Sequence, residues 1–511
     1  MANPLYDRLF GQHDGSDRVF LHLPDGQTLT YGAFLAGAAR IANVLRAAGL
    51  APGDRLAAQV PKSATALQLY AACVQAGVVF LPLNTAYTTA ELDYFLSNSG
   101  ARLVVCAPGT AAEIAPIADR LGAAVDTLDA EGCGSLADKA ATMPASFDTV
   151  PRTEDDLAAL LYTSGTTGRS KGAMLSQRNL LSNAEVLAHA WRFTDGDALL
   201  HALPIYHTHG LFVATNIVAL TGGAMIFLPK FETGAVLDAL PRATAMMGVP
   251  TFYTRLLDAP GFTREVTAHM RLFVSGSAPL LSETHRRFEE RTGHRILERY
   301  GMTETNMSTS NPYDGERRPG TVGLPLPGVE LRITDPETGA ELPRGEIGVI
   351  EVRGPNVFQG YWQMPEKTAA EMRPDGFFIT GDLARQDADG YVEIVGRAKD
   401  LVISGGLNVY PKEVEGVLDA LPGVLESAVI GVPHPDLGEA VVAVVVPEPG
   451  AAPDPAELAE RAARVLAGFK RPKRIVLRDA LPRNTMGKVQ KAVLREELAG
   501  LFGADRQTAA L

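Results

Sequence analysis

The chain has 511 residues, 46% hydrophobic and 21% charged, with a formal net charge of −12. That length exceeds one small core and calls for two or more domains. The composition is ordinary for a globular protein, and the acidic balance excludes nucleic acid as the main partner. Three scattered cysteines, Cys73, Cys106 and Cys133, offer neither metal spacing nor a disulfide framework, which suits a reducing cytoplasm. The opening MANPLYDRLFGQHDGSD has no basic stretch leading into an apolar core, so no secretory signal is expected. No apolar run reaches the length of a bilayer span, so no membrane partner is expected either.

Short apolar runs alternate with helical patterns through most of the chain. DRLAAQV, GVVFLPL and RLVVCA read as buried strands; LTYGAFLAGAARIANVLRAAGL and TTAELDYFLSN read as helices. GAMIFLP, ATAMMGVP and RLFVSG are further strand candidates. The alternation predicts an α/β fold with largely parallel sheets.

Within this pattern lies LYTSGTTGRSKG, Leu161 to Gly172. Its glycines permit tight turns, its hydroxyls and backbone N–H groups are donors, and Lys171 adds a point charge, which together fit a polyphosphate. A Walker A loop would end Gly-Lys-Ser/Thr; here Ser170, Lys171 and Gly172 stand instead, so the chain is not a P-loop NTPase on that evidence. Ser176 is a good N-cap for the helix that follows, whose dipole would add to the anion site.

The order strand, Ser/Thr/Gly loop, Lys-Gly resembles the phosphate loop of the adenylate-forming superfamily. That group includes acyl-CoA synthetases, peptide-synthetase adenylation domains and luciferases. The resemblance implies that Thr163, Ser164, Gly165, Thr166, Thr167, Gly168 and Lys171 hold ATP, with Thr167 also facing Mg²⁺. PIYHTHG carries His207 and His209, but without a nearby Cys or acidic partner they do not make a zinc site. In the family this segment borders the acyl pocket. His207 is therefore a candidate substrate-binding and catalytic residue, with core packing as the alternative. GVPTFYTRLL lies where the family builds that pocket, and Arg255 stands out in it. A buried guanidinium needs an anionic partner, so the substrate should supply one; exposure or pairing with Asp258 is the alternative.

SGSAPL resembles the adenine-lining segment, with Ser277, Ala278 and Pro279 as a flat wall and Ser277 also near the substrate. In ERYGMTET the resemblance gives Glu298, Tyr300 and Gly301 to the nucleotide, with Tyr300 stacked on adenine. It gives Met302 to the substrate, Thr303 to the α-phosphate and Glu304 to Mg²⁺, a cation that prefers hard oxygen ligands. TGDLARQ and GRAKD contain Asp382 and Arg397. The carboxylate would accept the ribose hydroxyls and the arginine would support it.

Near residue 400 the texture changes. DADGYVEIVGRAKDLVI reads as strand, turn, strand, followed by a helix (PKEVEGVLDAL), strands (ESAVIGV, EAVVAVVV), a second helix (DPAELAERAARVLAG) and a basic tail. From Gly468 to Arg495 there are nine Lys/Arg and one acid, Asp479. NTMGKVQK, in that tail, resembles the segment that delivers a catalytic lysine, here Lys488. The resemblance implies a large multi-subdomain N-terminal domain (1–398) with mostly parallel sheets and a small mobile α+β domain (399–511). The small domain would rotate about Lys399 and bring Gly405 and Gly406 to a pantetheine tunnel.

Taken whole, the chain resembles the malonyl-CoA synthetases of this superfamily. That implies ligation of malonate to coenzyme A through malonyl-AMP, at the expense of ATP, with methylmalonate a weaker substrate. A carrier-loading adenylation enzyme and a CoA ligase for another small acid remain alternatives. A lysine acetyltransferase acting on Lys488 is a candidate partner.

Overall fold

The computed structural model describes residues 2–163, 170–405, 407–484 and 487–502. Two compact units make up the chain: Met1–Glu330 with Val352–Phe378, and the smaller Leu331–Glu351 with Ile379–Leu511. Both are mixed α/β. Among the described residues, no helix is long and apolar enough to cross a membrane.

The first unit holds a six-stranded and a nine-stranded sheet. In the smaller sheet, Ala124–Thr127, Leu103–Cys106, Arg55–Gln59, Val79–Pro82 and Leu157–Thr163 (β1) run parallel, and Lys171–Ser176 (β2) closes it antiparallel to β1. The apolar runs LVVC and VFLP are buried at every position, as strands covered on both faces require. Helix Gln177–Ala190 (α1) starts at Ser176, whose hydroxyl and the Asn179 side chain form a reciprocal capping box. The cap is where the sequence predicts it, but the expected dipole contribution is not met. Five residues of β2 stand between Lys171 and α1, roughly 17 Å from Lys171 to the cap at strand rise. The helix dipole fades within its first turn, so it adds nothing to the phosphate loop.

In the larger sheet, Ala245–Gly248 (β3) leads through helix Pro250–Leu257 (α2) to Leu272–Ser275 (β4) and then Leu297–Met302 (β5), all three parallel and adjacent. Asn306–Ser310 (β6) turns back antiparallel to β5. A core of Tyr253, Leu256, Phe262, Phe273 and Phe288 packs beneath them. The C-terminal ends of parallel strands are where α/β sheets place ligand sites, and the motifs SGSAPL and ERYGMTET sit at the ends of β4 and β5.

The second unit holds a four-stranded sheet that includes Phe378–Gln386 (β7) and Val392–Arg397 (β8), and a five-stranded sheet. The latter contains Val402–Ser404 (β9), Leu407–Val409 (β10), and the long antiparallel pair Val424–His434 (β11) and Gly438–Pro447 (β12). Helix Pro411–Asp419 (α3) packs between β10 and β11 in sequence, and Lys491–Leu498 (α4) follows the NTMGKVQK segment.

Candidate active site

The register of β1 against β2 sets Thr163 opposite Lys171 and Tyr162 opposite Gly172, so the two ends of the phosphate loop are held side by side. Ser164, Gly165, Thr166, Thr167, Gly168 and Arg169 lie outside the described residues. Lys171 Nζ is 3.3 Å from each oxygen of Glu371 and 4.0 Å from the centroid of the Tyr361 ring. Lys367 joins the same carboxylate at 2.7 Å. The Tyr361 hydroxyl lies 2.6 Å from Glu371 Oε2 and 3.0 Å from Glu304 Oε1. Burial alone would raise the Glu371 pKa, but Lys367, the Tyr361 hydroxyl and Lys171 outweigh it and hold the carboxyl below its ordinary value. Burial, with Glu304 beside it, pushes the Tyr361 phenol up, so it remains a proton donor. Lys171, Glu371, Tyr361 and the buried Glu304 therefore form one chain of contacts from the phosphate loop to the candidate metal ligand.

These residues fit a magnesium–polyphosphate. Glu304 offers a hard carboxylate oxygen and Lys171 a cation. Among the described residues no group of three or more His, Cys, Asp or Glu could cage a metal. Mg²⁺ ordinarily takes one or two carboxylates and completes its shell with phosphate and water.

A second cluster lies at the ends of β4 and β5. Arg299 is 2% exposed, and all three of its guanidinium nitrogens lack a hydrogen-bond partner among the described residues. Burial pushes its pKa down to about 9, which leaves it charged at neutral pH. Gly276 makes room for it: a Cβ there would stand 2.4 Å from Arg299 Cζ. His209 is buried, its Nδ1 lies 3.2 Å from Ser277 Oγ, and its Nε2 has no partner among the described residues. Burial, then the Arg299 charge, holds the His209 pKa well below its ordinary value, so the ring is neutral. Ser277 sits at φ +73°, in the left-handed region that a serine adopts only under constraint. His207 is half-buried, and its Nδ1 accepts from the His209 backbone at 3.3 Å.

Arg255 does not join this cluster. It is exposed in the last turn of α2, whose inward face is Tyr253 and Leu256. An eight-residue helix packed by that face has no way to turn position 255 inward as well. Arg255 and Arg299 both lie in the motifs quoted above, but only Arg299 is enclosed. The overlooked signal was an arginine inside a central strand, because Arg is almost never fully buried without a partner. His209 was overlooked in favour of His207, two residues away.

The other candidates divide between the two units. Tyr300, Gly301, Met302 and Thr303 are part-buried around the end of β5, and Glu298 accepts from the Leu280 backbone at 3.3 Å. Ala278 is part-buried and Pro279 exposed. In the second unit, register places Asp382 opposite Arg397, and their side chains pair at 2.6 Å. Gly405 turns the β9–β10 hairpin at φ +59°; Gly406 lies outside the described residues. Lys399 is exposed in a short turn after β8, and Lys488 is part-buried in the loop before α4.

The chain is similar to known proteins over most of its length. Residues 11–362 match the AMP-binding enzyme family and residues 413–488 the AMP-binding enzyme C-terminal domain. The structure of ATP-bound MatB from Rhodopseudomonas palustris is 60% identical, covers 98% of this chain and 100% of its own, and superposes with a TM-score of 0.97. A feruloyl-CoA synthase of Amycolatopsis sp is 39% identical, over 92% of this chain and 94% of its own. A malonate–CoA ligase of Arabidopsis thaliana is 33% identical, over 94% of this chain and 86% of its own. The chain belongs to the AMP-binding enzyme family and is an AMP-forming acid–thiol ligase.

Proposed function

We propose that the chain joins malonate to coenzyme A through malonyl-AMP. The observation that carries the substrate is Arg299, a buried cation with no protein partner among the described residues. An unpaired buried charge is strongly unfavourable, and a carboxylate distal to the reacting one would relieve it. Malonate–CoA ligases among the relatives support the same reading. Ser277 and neutral His209 would complete the pocket, with His207 and Met302 at its edge.

In the first step a malonate oxygen attacks the α-phosphorus of ATP, and pyrophosphate leaves. Lys171, Thr163 and the Ser164–Gly168 loop would hold the phosphates and Thr303 the α-phosphate. Tyr300, Ala278, Pro279, Glu298 and Gly301 would line the adenine site, and Asp382 with Arg397 would hold the ribose. Bound Mg²⁺, held by Glu304 with Thr167, would neutralise phosphate charge. Lys488, on a C-terminal domain running from 399 to 511, would stabilise charge at the transferring phosphorus. In the second step the coenzyme A thiolate attacks the acyl carbon and AMP leaves. Rotation about Lys399 would exchange Lys488 for a tunnel lined by Gly405 and Gly406. Acetylation of Lys488 by a lysine acetyltransferase would stop the first step by removing its charge. The reading places the enzyme in the cytoplasm.

The test is an acid panel with ATP and coenzyme A. Malonate should lead, methylmalonate should follow within about 10–200-fold, as one methyl group allows, and acetate should trail by roughly 10⁴-fold. Acetate turning over as fast as malonate would end the proposal.

A further inference from the structure

We infer that Arg483 is a positioning residue that fixes the peptide from which Lys488 projects, an inference that rests on the role proposed above for Lys488. The segment is a tight hairpin within the second unit. Arg483 and Val489 form an antiparallel bridge, and Gln490 N donates to Pro482 O at 2.8 Å. Inside it, Asn484 N donates to Lys488 O and Gly487 N to Asn484 O, each at 2.9 Å. Gly487 takes φ +74°, which a residue with a Cβ would adopt only with strain.

The guanidinium of Arg483 lies across this hairpin. Nη1 donates to the Gly487 carbonyl at 2.6 Å, while Nη2 pairs with Glu426 on β11. On the other side, Lys488 N donates to Asn484 Oδ1 at 3.0 Å. The Gly487 carbonyl and the Lys488 N–H belong to one peptide unit, and that unit is planar. Holding both of its polar ends fixes the plane and the Lys488 N–Cα bond, and the Asn484 N–H on the Lys488 carbonyl restrains the next peptide, so that together they set the direction of the Lys488 Cα–Cβ bond. Glu426 anchors the arrangement to a strand paired along its length with β12. Arginine suits the task because its rigid fork serves a carboxylate and a carbonyl together, whereas an ammonium is a single point of charge. A shift of about 1 Å in a catalytic group can cost roughly 10²-fold in rate.

The experiment separates the half-reactions. Malonate-dependent exchange of pyrophosphate into ATP reads the first; thioester formation from supplied malonyl-AMP and coenzyme A reads the second. Arg483→Gln should lower kcat for exchange by roughly 10–100-fold, leave KM for ATP and malonate within about twofold, and spare thioester formation. Arg483→Lys should recover only part of the loss, and Glu426→Gln should fall between wild type and Arg483→Gln. Equal loss in both half-reactions with a lowered melting temperature would mean a merely structural arginine and overturn the inference, as would unchanged exchange. Lys488→Ala is run alongside. If it keeps exchange, the role given to Lys488 fails; if it loses exchange while Arg483→Gln does not, only the positioning role fails.

Discussion

Two regions, one in each unit, handle charge in opposite ways. In the first, the wall at the end of β5 keeps a guanidinium buried with no hydrogen-bond partner among the described residues. In the second, Arg397 is matched with Asp382, and two arginines of the basic tail are matched as well, Arg483 with Glu426 and Arg495 with Asp400. Paired charges there hold turns and loops in place. Among the described residues the Arg299 charge has no hydrogen-bond partner, and in the reading proposed above its partner arrives with the substrate. A ligand site can be recognised by what the fold leaves unsatisfied, and a scaffold by what it satisfies.

The sharpest way to break this comparison is Arg299→Met. A site built around a polar group rejects an analogue lacking the partner by roughly 10⁴-fold, and the same loss is expected when the site's own group is removed. Malonate turnover should fall on that scale, while ATP-only binding, measured by calorimetry, should change little. Stability should move the other way. Replacing a buried charge with an apolar side chain of similar volume should stabilise the protein by about 1–4 kcal/mol, read as a higher urea midpoint. Loss of activity together with loss of stability would mean that Arg299 is structural after all. Arg255→Ala, at an exposed position, should leave both readouts near wild type.

A smaller effect tests the chain from Lys171 to Glu304. Tyr361→Phe keeps the ring, with its edge contact to Phe358 at 4.8 Å, and removes only the hydroxyl between Glu304 and Glu371. Partners that orient a metal-binding carboxylate typically account for about 10–100-fold in metal affinity. The variant should therefore need at least about tenfold more Mg²⁺ for half-maximal nucleotide binding, followed by titration calorimetry as well as by rate. An unchanged Mg²⁺ requirement would detach Tyr361 from the metal site.

Sequence carried most of the fold because parallel strands buried on both faces announce themselves as short apolar runs. Each run read as a strand, from DRLAAQV to RLFVSG, contains one. The motifs were legible as local order: Lys171 stands in a Ser/Thr/Gly loop suited to phosphate, and the resemblance of the segments around Glu304 and Lys488 to the adenylate-forming motifs implies metal binding and charge stabilisation. What did not read through was tertiary. Tyr361 and Glu371 lie some 60 residues beyond Glu304 and 200 beyond Lys171, and no local pattern brings them together. Arg299 and Arg255 both looked available in one dimension. Only the pairing of β5 with β4 and β6, against the exposed last turn of α2, decides which of them is enclosed.

Asp419 tests the comparison from its other side. It is a part-buried carboxylate of the second unit, at the end of α3, accepting from Ser427 Oγ at 2.7 Å. Burial pushes its pKa up to about 7, with Glu415 and Glu426 adding to the rise, against the lowering effects of the Ser427 hydrogen bond and Lys412. Here burial is met by giving up the charge rather than by pairing it. The sign follows from proton counting. Between about 4 and 7 the folded protein keeps a proton that the unfolded chain has released, so this group's contribution is fully present below that window and is lost as pH rises through 7. Asp419→Asn keeps an acceptor for Ser427 but cannot ionise. It should match wild type near pH 4 and gain on it by at most about 1.4 kcal/mol per pH unit across the window, since one pK unit corresponds to that much. Denaturant melts at pH 5 and pH 8 would measure the gap. If the gap is the same at both, Asp419 is ionised in the folded state, and the second unit has a part-buried carboxylate whose charge some other group must balance.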